Sequence, residues 1–365
     1  GVLDIHFDDL THEYHRYSYK LEHCEADWRP TTSLFESDYV EGFANGNTID
    51  DVQQSLLTNT IYTHYHLSIP NEVCRPKISG NYLLTIYDDD GNDAIKVCFM
   101  VKEPFTQSMG IGLNVVTNTD ATINTAHQQV EMELKYNSYN VTNPQTQIKT
   151  VLLQNKWWDN ALWNAKPQYV MSDGLRWSHN ANYIFWAGNE YRKFEILSTD
   201  VASTGIERIR WDGSDFHAYP FIALPRLNYL YDEDANGAFL IRNSNNYHIN
   251  TESDYMQVHF QLSCPQPVKG DVYVNGDWTY DRFLPQYKMA YDEESKSYQT
   301  VSPLKLGYYS YQYIVLNENG RTEIMPTEGS YYQTENTYQA LVYYREQGGR
   351  TDKLVGYTSF KFKAR

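Results

Sequence analysis

The sequence predicts an all-β protein of three tandem, sandwich-like units, and three observations carry that reading. Apolar and polar residues alternate with period two along most of the chain, whereas stripes at helical spacing are scarce. The 365 residues include 33 Tyr and 8 Trp, side chains that favour pleated, half-buried surfaces. Breaks in the pattern at Pro104 and over the polar stretch RNSNNYHINTES (242–253) divide the chain into 1–104, 105–250 and 251–365.

In the first unit, strands are expected over LDIHFDDL (3–10), YHRYSYKLEH (14–23), YTHYHLSIP (62–70), GNYLLTIYDDDG (80–91) and AIKVCFMVKE (94–103). The DDDG at 88–91 is the turn between the last two, and 50–60 reads as polar loop or a short helical turn. The second unit carries strands near GIGLNVVTNT, QQVEMELKY, QIKTVLLQN, YIFWAGN, YRKFEIL, DFHAYPFIAL and GAFLIRN. The third runs from DYMQVHFQL through DVYVNGDW, SYQTVSPLKLGYYSYQYIVLN and TYQALVYYRE to LVGYTSFKFKA. Short strands at this spacing, with turn residues between them, point to sandwiches. The two Trp-Asp dipeptides at 158–159 and 211–212 lack the period of propeller blades.

Composition excludes several function classes. Lys plus Arg number 30 against 46 Asp plus Glu, a net charge of −16 with no basic stripe, which opposes a nucleic-acid backbone. No apolar run approaches the ~20 residues of a membrane-spanning helix. Cys24, Cys74, Cys98 and Cys264 show no C-x-x-C spacing, which argues against a zinc ribbon or a thioredoxin-like site; free buried thiols or one disulfide within the first hundred residues both remain open. Gly1 followed by VLDIHFDDL carries no signal-peptide pattern and reads as a start from which the natural N-terminus has been removed.

No catalytic constellation assembles. His23 and Cys24 in HCEADW are neighbours on a strand and point to opposite faces, so one is not positioned to activate the other. There is no H-E-x-x-H zinc motif and no G-x-S-x-G nucleophile elbow, and the carboxylates single out no glycosidase pair. YDEDANGAF places Asp232, Asp234 and Asn236 at the alternate positions of a calcium loop, with Gly237 at the turn. Against calcium, the twelfth position is Asn243 rather than a bidentate Glu, and an acidic hairpin is the competing reading. In DVYVNGDWTYDRF (271–283), Trp278 with Tyr280 forms the best platform for stacking a sugar ring, with Trp157, Trp158 and Trp177 as reserves. Covering the sandwich edge is the structural role open to Trp278.

Long strings distributed over the chain resemble one family. They include YKLEHCEADWRP (19–30), YTHYHLSIPNE (62–72), SGNYLLTIYDDD (79–90), AGNEYRKFEI (187–196), YLYDEDANGAFLIRN (229–243), LKLGYYSYQYI (304–314) and EGSYYQTENTYQALVYYREQGGRTDKLVGY (328–357). Together and in this order they resemble the plug protein of the type IX secretion system of Gram-negative bacteria. The resemblance implies a non-enzymatic, periplasmic protein, associated with the outer membrane, that closes the inner mouth of the translocon barrel when cargo is absent. It implies no cofactor and no membrane span. The last unit also resembles an early-set, immunoglobulin-like, glycogen-binding-type module, so a carbohydrate-binding protein using Trp278 and Tyr280 is the alternative; fold likeness does not carry the ligand with it.

For a partner-binding protein, the tyrosine-rich string near the C-terminus is the expected contact surface. Extended backbone points Tyr331 and Tyr332, and likewise Tyr343 and Tyr344, to opposite faces, so one of each pair packs inward and the other is free for a partner. Arg345 and Arg350 stand nearby to pair with carboxylates. The competing expectation is that neighbouring strands cover both faces.

Overall fold

A computed structural model describes residues 1–120 and 125–364, and among them the protein is all-β, its helical content limited to two four-residue α-helical turns at Glu36–Tyr39 and Pro144–Gln147 and four three-residue 3-10 turns. The first strands lie where alternation placed them: β1 (Leu3–Asp9), β2 (Ser18–Cys24), β3 (Thr63–Ile69), β4 (Gly80–Tyr87) and β5 (Asp93–Val101). The stretch expected as loop or helical turn instead supplies a strand, Asp51–Gln54, paired with β3. β1 and β3 belong to one sheet and β2, β4 and β5 to another. The two close on a core in which Ile5, Tyr65 and Leu67 meet Tyr19, Leu21, Leu84 and Ile86.

The second module opens with β6 (Gly110–Val116), β7 (His127–Lys135), β8 (Ile148–Gln154), β9 (Trp157–Trp163), β10 (Gly174–Trp177) and β11 (Ile184–Trp186). The third is built from β12 (Arg192–Ile196), β13 (Ile206–Trp211), β14 (Phe216–Pro220), β15 (Tyr255–Ser263), β16 (Asp271–Asn275), β17 (Lys288–Asp292), β18 (Ser297–Lys305) and β19 (Gly307–Leu316). These pair in the order β12-β19-β16-β17-β18-β15-β14-β13. β15 alternates without a fault, which sends Met256, Val258, Phe260 and Leu262 inward against Phe194, Tyr309, Tyr311 and Tyr313.

The chain then returns to the second module. β20 (Asn336–Tyr344) inserts between β8 and β21 (Lys353–Phe362), giving a sheet ordered β9-β8-β20-β21. Val151 lies opposite Leu341 in the antiparallel register of β8 and β20. Leu152, Tyr338, Ala340 and Val342 of this sheet pack on Val130, Met132, Leu134 and Trp177 of the facing one. The cores therefore do not divide at residue 250: one takes residues from 109 to 185 and 338 to 362, and the other takes 194 to 325. The 242–253 stretch lies within the latter, and it is a fixed connection, with Ser253 fully buried and Thr251 O accepting from Leu56 N at 2.9 Å. The four cysteines are free thiols, three of them buried and Cys98 exposed.

Two buried polar joints fasten the first module to the others. In one, Asp8 accepts from Lys305 Nζ, Tyr255 OH and His64 Nδ1, each at 2.6 Å. Lys305 Nζ also donates to Asn250 O at 3.0 Å and lies 4.1 Å from the Tyr62 ring centroid. Burial alone would push the Asp8 carboxyl up, but the hydrogen bonds and the Lys305 charge outweigh it and hold it below its ordinary value.

In the other joint, Arg345 donates to Glu25 Oε2 at 2.5 Å and to Asp352 Oδ1 at 2.9 Å. Asp352 takes Lys149 Nζ at 2.7 Å and Ala26 N at 3.2 Å. Around these charges Ala26 packs with Val151, Leu153, Leu341, Tyr343 and Leu354. Gly80, at φ +143°, belongs to this contact: a Cβ there would lie 2.3 Å from His23 Nε2 and 3.3 Å from Asp352 O.

Removing one member of a buried ion pair strands the other, so Asp8→Ala is expected to destabilise the protein by about 3–5 kcal/mol in a urea titration. Asp8→Leu combined with Lys305→Met should recover part of that loss. Because the folded-state pKa of Asp8 is depressed, its contribution is present above the unfolded value of 3.8 and is lost as pH falls through the folded one. A midpoint that drops on acidification in wild type, and drops less in the double variant, checks this. Arg345→Ala should lower the unfolding free energy by about 1–3 kcal/mol, the cost of lost charged hydrogen bonds, and the urea midpoint with it; an unchanged midpoint would show that the second joint carries no stability.

Candidate interaction surface

The structure brings most of the predicted contact string into the interior. β20 is a central strand covered on both faces. Tyr343 faces the first module and donates to Asn81 Oδ1 at 2.8 Å, while Tyr344 lies in the second core and donates to Asn140 O at 3.0 Å. Both are buried, so the expectation that one of the pair is free for a partner is corrected. Arg345 is spent in the joint with Glu25 and Asp352, and Arg350 pairs with Asp38 of the first module at 2.9 Å. The carboxylates these arginines meet are the chain's own.

Tyr331 and Tyr332 are half-buried in an irregular segment rather than a strand. Tyr331 donates to Arg226 O at 2.9 Å, and Tyr332 N donates to Thr125 O at 2.7 Å.

Trp278 is only 5% exposed, and its ring is occupied: Phe260 stacks on it at 6.0 Å, with Tyr287 and Tyr309 edge-on. Its Nε1 donates to Ser310 O at 3.3 Å. The sugar platform is therefore a core tryptophan, and Tyr280 stands exposed without it. Trp177 is likewise buried.

The candidate calcium loop is an irregular segment pinned by the chain's own groups. Asp232 is held by Lys193 Nζ at 2.7 Å, and Asp234 accepts from its own neighbour Asn236 N at 2.6 Å and from Tyr191 N. Burial pushes the Asp234 carboxyl up to about 7. Among the described residues no three acidic, His or Cys side chains converge as a metal site.

A cleft of about 1120 Å³ opens between the β8–β9 hairpin and the 320–326 segment that follows β19, with Trp157, Trp186 and Tyr191 in its walls. Its amides are mostly engaged with one another and with backbone. Gln154 Nε2 donates to Trp186 O at 2.9 Å, and Gln312 Nε2 donates to Tyr191 OH at 3.1 Å. Ser330, the hydroxyl among its lining residues closest to a nucleophile in type, donates to Ala126 O at 2.6 Å. No His or Cys lines the cleft to serve as its base or as a thiolate.

The surface that stands apart is the segment after β14. From Phe221 to Tyr231 the chain leaves the sheet and crosses the third module without regular structure. Every third residue is an anchor. Ala223 N donates to Gln261 O at 2.9 Å, Arg226 N to Thr327 O at 2.8 Å, and Tyr229 OH to Glu190 Oε1 at 2.7 Å. The Arg226 guanidinium is drawn further in, donating to Glu190 O at 2.6 Å and to the buried Glu328, which Arg192 also neutralises. Between and beside the anchors Phe221, Ile222, Leu224, Leu227, Leu230 and Tyr231 face outward, with Leu227 84% and Leu230 80% exposed.

Sequence alternation carried β14 on to residue 224 and missed this strap. Pro225 and the leucines at 224, 227 and 230 repeat every three residues, the period of neither strand nor α-helix but of an extended polyproline-type chain.

Residues 1–103 match the family described as type 9 secretion system plug protein, first domain. The crystal structure of a hypothetical protein from Parabacteroides merdae has the same fold, with a TM-score of 0.94 at 36% identity, covering 99% of this chain and 91% of that one. No curated protein matches. That likeness gives the fold of the whole chain, and the match over residues 1–103 gives the family: by its first domain the chain belongs to the type IX secretion system plug protein family, which ties it to type IX secretion at the cell envelope.

Proposed function

We propose that the protein is a non-enzymatic periplasmic plug that docks on the periplasmic mouth of the outer-membrane translocon barrel and closes it when no cargo is engaged. The observation that carries this reading is mechanical. Three β-cores are fastened by buried polar joints, Asp8–Lys305 and Glu25–Arg345–Asp352, rather than strung on free linkers. A body that blocks a channel must not shear between its domains, and close-packed cores joined by a buried ion pair at Asp8–Lys305 and a half-buried network around Asp352 resist that.

Two further features support it. No helix among the described residues is long and apolar enough to cross a membrane, so attachment through such a helix has no basis in them. In the cleft beside the β8–β9 hairpin, the Gln154 and Gln312 amides are spent on Trp186 O and the Tyr191 hydroxyl, and the Ser330 hydroxyl on Ala126 O. Blocking requires neither a cofactor nor a reactive group.

Capture of the translocon by tagged plug from a native strain tests the reading. Cargo-free translocon is expected to co-purify with the plug, and translocon engaged with cargo to be depleted of it. A folded plug that never associates with cargo-free translocon overturns the proposal. So does a channel whose small-solute leak in proteoliposomes is the same with and without the plug.

A further inference from the structure

We infer that the strap Phe221–Tyr231 is the docking element of the plug, and that it seats in an apolar groove with a basic rim on the translocon. This rests on the plug reading and gives that reading its contact surface. Six large apolar side chains exposed within eleven residues are costly to leave in water, since covering a Leu or Phe side chain is worth ~1.5–3 kcal/mol. The strap is not a slack loop whose leucines could fold back. Ala223, Arg226 and Tyr229 are tied to the sheet, to Thr327, Glu190 and Glu328. Presenting the outward residues therefore requires no ordering at the moment of binding, and so loses less affinity to entropy.

Shape and charge choose the occupant. Leu227 and Leu230 protrude, so the complement is concave. The apolar run passes directly into Asp232 and Glu233; Lys193 neutralises Asp232, and Glu233 is left exposed, on a chain of net charge −16. Arg226, the one cation within the strap, is turned inward and consumed by Glu328. An anionic lipid surface is repelled by this arrangement, whereas a protein groove rimmed by Lys or Arg is attracted. The Tyr331 hydroxyl that braces Arg226 O connects the strap to the string first expected to make contact, which acts here as a support behind the surface.

The test uses the whole chain with Leu224, Leu227 and Leu230 all changed to Ser, and separately with Glu233→Lys. Leu57→Ser, at a 98% exposed site on the first module, is the control. Since these side chains lie outside the core, the thermal midpoint should stay near wild type. Binding to purified cargo-free translocon should weaken tenfold or more in the triple variant, the scale of losing hot-spot side chains, and several-fold in Glu233→Lys, while Leu57→Ser binds as wild type does. Leu227→Asp alone should reproduce the loss if the triple variant folds poorly.

Wild-type binding with an unaffected triple variant overturns this inference and leaves the plug reading standing. Absence of wild-type binding overturns both. Flotation of the wild type with phosphatidylethanolamine–phosphatidylglycerol vesicles, abolished in the triple variant, would make the bilayer the occupant and overturn the inference. A wild-type dimer in sedimentation that the triple variant lacks would do so by making the occupant a second copy.

Discussion

The pairing of β8 with β20 is the constraint on which the architecture depends. Residues 148–154 pair along their whole length with residues 338–344, and the third module, which lies between them in the chain, must leave and re-enter the second module within that register. The third module is thereby an insertion with both of its ends fixed, not a bead at the end of a string. The same sheet also serves the first module: one face of β20 packs into the second core, and the other receives Ala26 through Leu341 and Tyr343. A one-residue slip would exchange those faces and place Tyr344 where Tyr343 must reach Asn81. Long-range pairing of this kind is entropically costly to close, and burial on both faces offsets the cost.

Polar groups divide the labour differently from apolar ones. Each core is made of side chains that need only an apolar neighbour of suitable volume, whereas the contacts between modules are specified by charges with few acceptable partners. Asp8 is served by a lysine, a tyrosine and a histidine at once. Asp352 is served by a lysine, an arginine and a backbone N–H. Unpaired, either carboxylate would be strongly unfavourable in its buried position, so the modules have one relative arrangement in which all partners are met. The knot of Glu328 with Arg192 and Arg226 applies the same logic beneath the strap, where it holds an apolar surface outward.

Local chemistry was enough to read most of the strands, though not Trp157–Trp163, Gly174–Trp177, Ile206–Trp211 or Lys288–Asp292. The period of two in DYMQVHFQL sends alternate residues to opposite sides whatever the partner, so β15 and the inward set Met256, Val258, Phe260 and Leu262 follow from sequence alone. Asp51–Gln54 was not legible, because DVQQ has no alternation of its own and becomes a strand by pairing with β3.

What alternation cannot tell is how many faces of a strand are covered. Tyr343 and Tyr344 were correctly assigned to opposite sides, yet both are buried because β20 is central and the first module closes over it. Trp278 was correctly placed in a turn, but its turn folds inward onto Phe260. Arg345 was correctly read as an ion-pairing arginine, with Glu25 of its own chain as the partner. The sequence by itself determined the all-β class, most of the strands and the side of each such strand on which a residue lies, since those are set within a few residues by backbone geometry. Only the tertiary structure decided which faces are solvent, that the second core is completed by the last two long strands, and that the strap at Phe221–Tyr231 holds its apolar side chains outward. Those depend on contacts between residues far apart in the chain, and burial is a property of such contacts rather than of the local pattern.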